Sequence, residues 1–251
     1  MARNASVRGR RISGNNPLDV PAALRFLRAL RRHNDRAWFE QNRAEYDARI
    51  KPQWEDFVAA LLVAGTRFEP RFADVDPRAC IFRLARDIRF ARDKTPYKTY
   101  LSAFLSPRGW RGSTPGFWIS LEPGGESEIS AGIYVPERPV LTAIRRRLAA
   151  GDRDFARIVD AKRMAPYVPL RTAPLKTVPR GFPRNHPRAG LIRAQRYMAG
   201  RDFTDRELTA GNAFAIFRNA MRDTAPLVQW LARFTSESAP LVGDAFEPFD
   251  A

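Results

Sequence analysis

The chain has 251 residues, 44% of them hydrophobic, and 43 Lys and Arg against 27 Asp and Glu give a formal net charge of +16. A chain of this length and apolar content buries a core without staples, which excludes global disorder. One cysteine, Cys80, and two histidines, His33 and His186, exclude an internal disulfide framework and a thiolate or imidazole metal cage.

No metal site is predicted, although oxygen ligation of magnesium stays open. No apolar run approaches the roughly 18 residues that span a bilayer, and the basic start (Arg3, Arg8, Arg10, Arg11) leads into no apolar stretch. The expectation is a cytoplasmic protein with no membrane partner. The surplus of positive charge favours polyanions or phosphorylated ligands, with a merely basic, solvated surface as the alternative.

Residues 1–16 have no apolar period and read as a flexible basic arm, ahead of a single domain over 17–235 and an acidic tail over 236–251. From Pro21 to Arg32, Leu24, Leu27 and Leu30 recur at helical spacing, with proline in the first turn. His33-Asn34-Asp35 is a turn, and Asn34 or Asp35 can cap the next helix. That helix carries a stripe from Trp38 to Leu62, is kinked or split at Pro52, and ends at Gly65. Cys80 abuts Ile81-Phe82 and reads as a small buried side chain. Ile81 to Phe90 reads as a strand, Thr95-Pro96 as the entry to a helical turn, and Tyr100 to Leu105 as a second strand.

Phe117–Leu121 and Ile129–Val135, joined through Pro123-Gly124-Gly125, form a predicted hairpin. Pro139 to Ala150 is a helix, on which Arg145, Arg146 and Arg147 are expected to decorate the surface. Residues 161–201 hold ten basic residues, no acid and six prolines, so this stretch is expected to be extended and irregular. Thr204 with Glu207 matches a capping box ahead of a helical C-terminal section. The fold class is α+β, with N-terminal helices, a central largely antiparallel sheet containing the hairpin near 117–135, and C-terminal helices. Trp38, Trp54, Trp118 and Trp230 read as core.

Two polar constellations stand out. Residues 83–98 carry Arg83, Arg86, Arg89, Arg92, Lys94 and Lys98 beside Asp87 and Asp93. Six like charges this close repel unless carboxylates or a bound anion lie among them. The functional reading is an anion site made by Arg83, Arg86, Arg89, Lys94, Tyr97 and Lys98, with Asp87 and Asp93 orienting the arginines. The alternative is a basic strand edge with local Arg–Asp pairs. The second constellation is Lys176, Arg180, Gly181, His186, Arg188, Arg193 and Arg196, in which His186 could serve as a general acid or base. Its alternative is a loop histidine held by hydrogen bonds. If the two segments fold together, they make one electropositive cleft.

Residues 86–98 reproduce the pattern Arg-Asp-x-Arg-Phe-x-x-Asp-Lys-Thr-Pro-Tyr-Lys, which resembles the signature of a bacterial and fungal family known only as a domain of unknown function. FLRALRRHNDRAWFEQNRAEYD resembles that family's opening, with His33 in place of an expected Asn. GFWISLEPGG resembles its central strand, with Phe117 and Trp118 in place of tyrosines. LKTVPRGFPRNHP and PLVQWL extend the likeness over roughly residues 18–233, with Arg180 where the family has Lys. The resemblance implies an α+β intracellular protein and names no activity, cofactor or catalytic residue.

Three functions compete on this reading. One is binding of nucleic acid or a phosphorylated small molecule in an Arg/Lys-lined cleft. Another is an enzyme on a phosphorylated or carboxylated substrate, with Asp87, Asp93 and His186 moving protons. In that reading a magnesium ion shared by Asp87 and Asp93 would point to phosphoryl chemistry. The third is a scaffold whose basic face docks an acidic protein.

Overall fold

The computed structural model describes residues 16–107 and 114–235. The expected acidic tail, and all but the last residue of the expected basic arm, lie outside the described residues.

Helix α1 (Val20–Arg32) starts where the Asp19 carboxylate accepts the Ala22 N–H at 3.0 Å, and it buries Leu24, Leu27 and Leu30. Helix α2 (Arg36–Glu45) is capped by Asp35, which accepts the Trp38 N–H at 2.8 Å. The chain stays helical into α3 (Lys51–Gly65), but through one wide π turn at Tyr46–Ile50. Pro52 explains the widening: its ring crowds the carbonyl of Ala48, four residues back and inside that turn. The proline thus perturbs the helix one turn upstream without breaking the chain's course.

A 3₁₀ turn (Pro70–Asp74) and the short α4 (Pro77–Cys80) lead to the sheet. Strands β1 (Leu101–Leu105), β2 (Gly116–Leu121), β3 (Ser127–Ile133) and β4 (Tyr197–Phe203) lie in sequence order, every pair antiparallel. The predicted hairpin is β2–β3; Gly124 and Gly125 turn it at φ +99° and +80°, where side-chain residues are strained.

Between β3 and β4 come α5 (Arg138–Ala149), α6 (Arg153–Val159), a 3₁₀ turn (Lys162–Tyr167) and the short α7 (Ala189–Ile192). The capping box at Thr204 and Glu207 opens α8 (Asp205–Ala210), followed by α9 (Ala213–Ala232). Asp205 accepts the Gly124 and Gly125 N–H groups at 3.1 and 3.0 Å and pairs with Arg28, tying hairpin, α8 and α1 together.

Strand alternation puts Leu101, Ala103, Leu105, Phe117, Ile119, Ile129, Ala131, Tyr197 and Phe203 on one face, where α9 packs across β3 and β2 and α3 meets β1 and α9. Phe57, Phe203 and Phe217 interlock there at 5.2 and 5.8 Å between ring centroids. Trp54, Trp118 and Trp230 are buried, while Trp38 is half-buried against the core. Cys80 is buried too, and that burial pushes its thiol up to about 12. Among the described residues no helix is long and apolar enough to cross a membrane.

Two local expectations are overturned. Residues 81–90 form no continuous strand, only isolated bridges, and Thr95-Pro96 starts no helix. The irregular reading of 161–201 missed the start of β4.

Candidate functional site

Residues 81–100 build a narrow finger on the free side of β1. Ile81 bridges Ala103 and the Phe82 N–H reaches Ser102 O at 3.1 Å, so the finger leaves the sheet as a short edge extension. Ala85 then bridges Tyr97, with Arg86 N–H to Pro96 O at 2.9 Å and Lys98 N–H to Leu84 O at 2.8 Å. Between these rungs the backbone has no ladder, and side chains supply the missing partners.

At the base, the Asn34 amide acts as a surrogate strand. It donates to Tyr97 O at 2.8 Å and accepts the Tyr97 N–H at 3.1 Å. The Tyr97 ring stacks on Phe39, 4.3 Å between centroids. Lys98, only 4% exposed, lies over the Phe82 ring at 5.4 Å.

The tip is stapled from within. Asp93 accepts the Thr95 N–H at 2.9 Å and the Thr95 hydroxyl at 2.8 Å, and pairs with Arg86, which also donates to Thr95 Oγ1 at 2.6 Å. This Asx turn occupies the groups that Thr95 would need to cap a helix, which is why none forms. Lys94 folds back to donate to Ile88 O at 2.9 Å. Asp87 grips Arg89 with both oxygens, at 2.9 and 2.6 Å.

The two carboxylates therefore pair with arginines, as both the anion-site reading and the reading of local Arg–Asp pairs expect. Both are held down to about 2. The cause for Asp93 is first the Thr95 N–H and then Arg86; for Asp87 it is the Arg89 guanidinium and then its N–H. Carboxylates so strongly charged make poor proton carriers near neutral pH.

With Arg86 and Lys98 turned inward, the finger exposes Arg83, Arg89, Arg92, Lys94, whose ammonium is bonded to Ile88 O, and one aromatic. Phe90 is 95% exposed at the tip, between Arg89 and Arg92. No sequence argument had chosen Phe90; the signal was there in the interleaving of an aromatic with charges over 89–92.

The second constellation lies elsewhere. Arg171 N–H bonds to Met198 O at 2.7 Å, and the Arg171 guanidinium spans Glu128 and Asp202, fastening that segment to β4. Strands β1 and β4 are opposite edges of the sheet, three strand spacings or about 14 Å apart. The finger thus springs from the β1 edge and Arg171 is fastened at the β4 edge; Lys176 and Arg180, further along that second segment, are exposed. His186 Nδ1 accepts the Arg188 N–H at 3.0 Å, which leaves Nε2 as the donor to Ala149 O at 3.0 Å. Both ring nitrogens are occupied in structure. Among the described residues no group of three or more His, Cys, Asp or Glu is gathered as a metal ion would need.

A family model described as a conserved hypothetical protein (DUF2461) matches residues 22–230. No curated protein and no solved structure matches the chain.

Proposed function

For a chain that belongs to the DUF2461 family of conserved hypothetical proteins, we propose a nucleic-acid-binding module whose docking element is the finger over residues 83–98 and whose partner is a single strand. The observation that carries this reading is Phe90, 95% exposed and flanked by arginines at the end of an internally stapled hairpin. An exposed ring between guanidiniums can stack on an unpaired base while the cations meet the flanking phosphates. Stacking contributes about 1–3 kcal/mol per base. The overall charge of +16 supplies the long-range attraction.

The enzymatic reading gains less support. Asp87 and Asp93 are committed to Arg89 and Arg86, and His186 to backbone groups.

The test is fluorescence anisotropy with a labelled oligothymidylate titrated at several salt concentrations. Affinity should fall with salt by about 0.7 log units per log unit for each phosphate neutralised. Phe90→Ala should weaken binding about tenfold or more, and Arg92→Ala should lower the salt slope. Equal binding by wild type and Phe90→Ala, or a flat salt response, would sink the proposal. So would binding that prefers vesicles of anionic lipid, or an acidic polypeptide, over the oligonucleotide.

A further inference from the structure

The helix α5 arginines were expected on the surface, and Arg146 and Arg147 are exposed there. Arg145 is not: it is 8% exposed, next to the core residues Ile144 and Leu148. Its Nη2 donates to Ala194 O at 2.7 Å, beside the Tyr197 hydroxyl, which itself donates to Leu191 O at 2.8 Å. Its Nε is buried with no acceptor. The two arginines flanking Ala194 repeat this feature. Arg193 and Arg196 each have a buried Nε without an acceptor; Arg193 makes one long bond to Lys176 O at 3.5 Å, and Arg196 stacks on Tyr134 at 4.7 Å.

Among the described residues none of the three is paired with a carboxylate, whereas Arg171 and Arg201 of the same acid-free stretch both are. A guanidinium has only donors, and burying its charge without a counter-charge is costly. Around one turn, the buried Arg145 and the half-exposed Arg193 and Arg196 thus each keep a buried Nε–H without an acceptor.

We infer that Arg145, Arg193 and Arg196 form a receptor for a small oxyanion, a terminal phosphate or pyrophosphate group, at the turn between α7 and β4. The chemistry selects this class. Guanidinium forks match the oxygens of a phosphate, and several can engage one phosphate at once. Arg145 is only 8% exposed, which suits a small terminal group better than a continuous phosphodiester backbone. Lys176, whose carbonyl accepts from Arg193, adds a further positive charge close to the set. The receptor is on the β4 side of the sheet and does not depend on the finger at β1.

Thermal melting of the full chain tests this, with inorganic phosphate and pyrophosphate against sodium chloride at matched ionic strength. Phosphate or pyrophosphate should raise Tm saturably, and chloride should not. The half-exposed pair gives variants that keep the core: Arg193→Gln and Arg196→Gln should each weaken the apparent affinity about tenfold. Arg145→Leu removes an uncompensated buried charge, so it should melt no lower than wild type in the absence of phosphate and lose the phosphate response. Phe90→Ala should keep the response in full, which separates this site from the nucleic-acid proposal. A wild-type shift that chloride reproduces overturns the inference. So does a phosphate shift unchanged in the Arg193→Gln/Arg196→Gln double variant, or one reproduced in the Phe90→Ala variant by an oligonucleotide without terminal phosphate.

Discussion

Glu122 shows how one side chain can set the pH response of the fold. Its carboxyl is pushed up to about 7, first by burial and then by the neighbouring Glu126, with Arg31 pulling the other way. Arg31 reaches both carboxylates, at 2.6 and 2.8 Å, and so joins α1 to the β2–β3 hairpin. A carboxyl that ordinarily titrates near 4.5 and here titrates near 7 holds a proton in the folded chain that the unfolded chain releases. Its contribution is complete below about 4.5 and is lost as pH rises through 7. Because Glu126 is 58% exposed, solvent screens the pair and the loss is on the order of 1 kcal/mol. Glu122→Gln should flatten the pH dependence of Tm between 5 and 8 and melt higher than wild type at pH 8. A wild-type Tm that climbs over that interval would contradict the assignment. Asp87 and Asp93, held at about 2, should contribute no pH dependence in this window.

At the scale of the element, the finger is held by side chains where a sheet would use its backbone. Removing Asn34 takes two hydrogen bonds from Tyr97. Asn34→Ala should speed hydrogen exchange at the Tyr97 amide and destabilise the chain by about 1–2 kcal/mol, at roughly 1 kcal/mol per bond. Phe90→Ala should change stability by less than about 0.5 kcal/mol, since the ring touches little. These opposite outcomes would separate the finger's support from its business end. The finger also shows where sequence reading fails. Ile81, Leu84, Ile88 and Phe90 look like strand material, yet the Asx turn at Asp93 and the grip of Asp87 on Arg89 give the chain another way to satisfy its polar groups. The carboxylate–arginine pairings were legible because Asp and Arg sit within seven residues of one another. Asn34 was legible only as a helix cap, because its partner Tyr97 lies 63 residues away.

Across the whole molecule, the α+β class, the hairpin and the terminal helices followed from periodicity and turn residues. Strand β4 did not, because Tyr197–Phe203 mixes small and charged residues and follows a proline-rich stretch. Its Gly200 is a packing requirement: a Cβ there would sit 2.5 Å from Ser130 Oγ and 2.9 Å from Ile129 O. Gly132 on β3 is tighter still, at φ +142° with a Cβ that would lie 2.0 Å from Tyr197 O. Gly132→Ala should therefore cost about 2 kcal/mol or more and pull β4 away from its neighbour, read as a lower urea midpoint. Nor could sequence alone tell that the two basic segments attach to opposite edges of the sheet, at Ala103 and at Met198.

Each margin of that sheet carries one isolated rung, Ile81–Phe82 beside β1 and Arg171 beside β4. Unpaired strand margins are where chains join to make fibres and swapped dimers. A rung laid across each margin, together with a net charge of +16, works against that fate. A companion that lengthened the sheet along its whole margin would first have to displace one of these rungs.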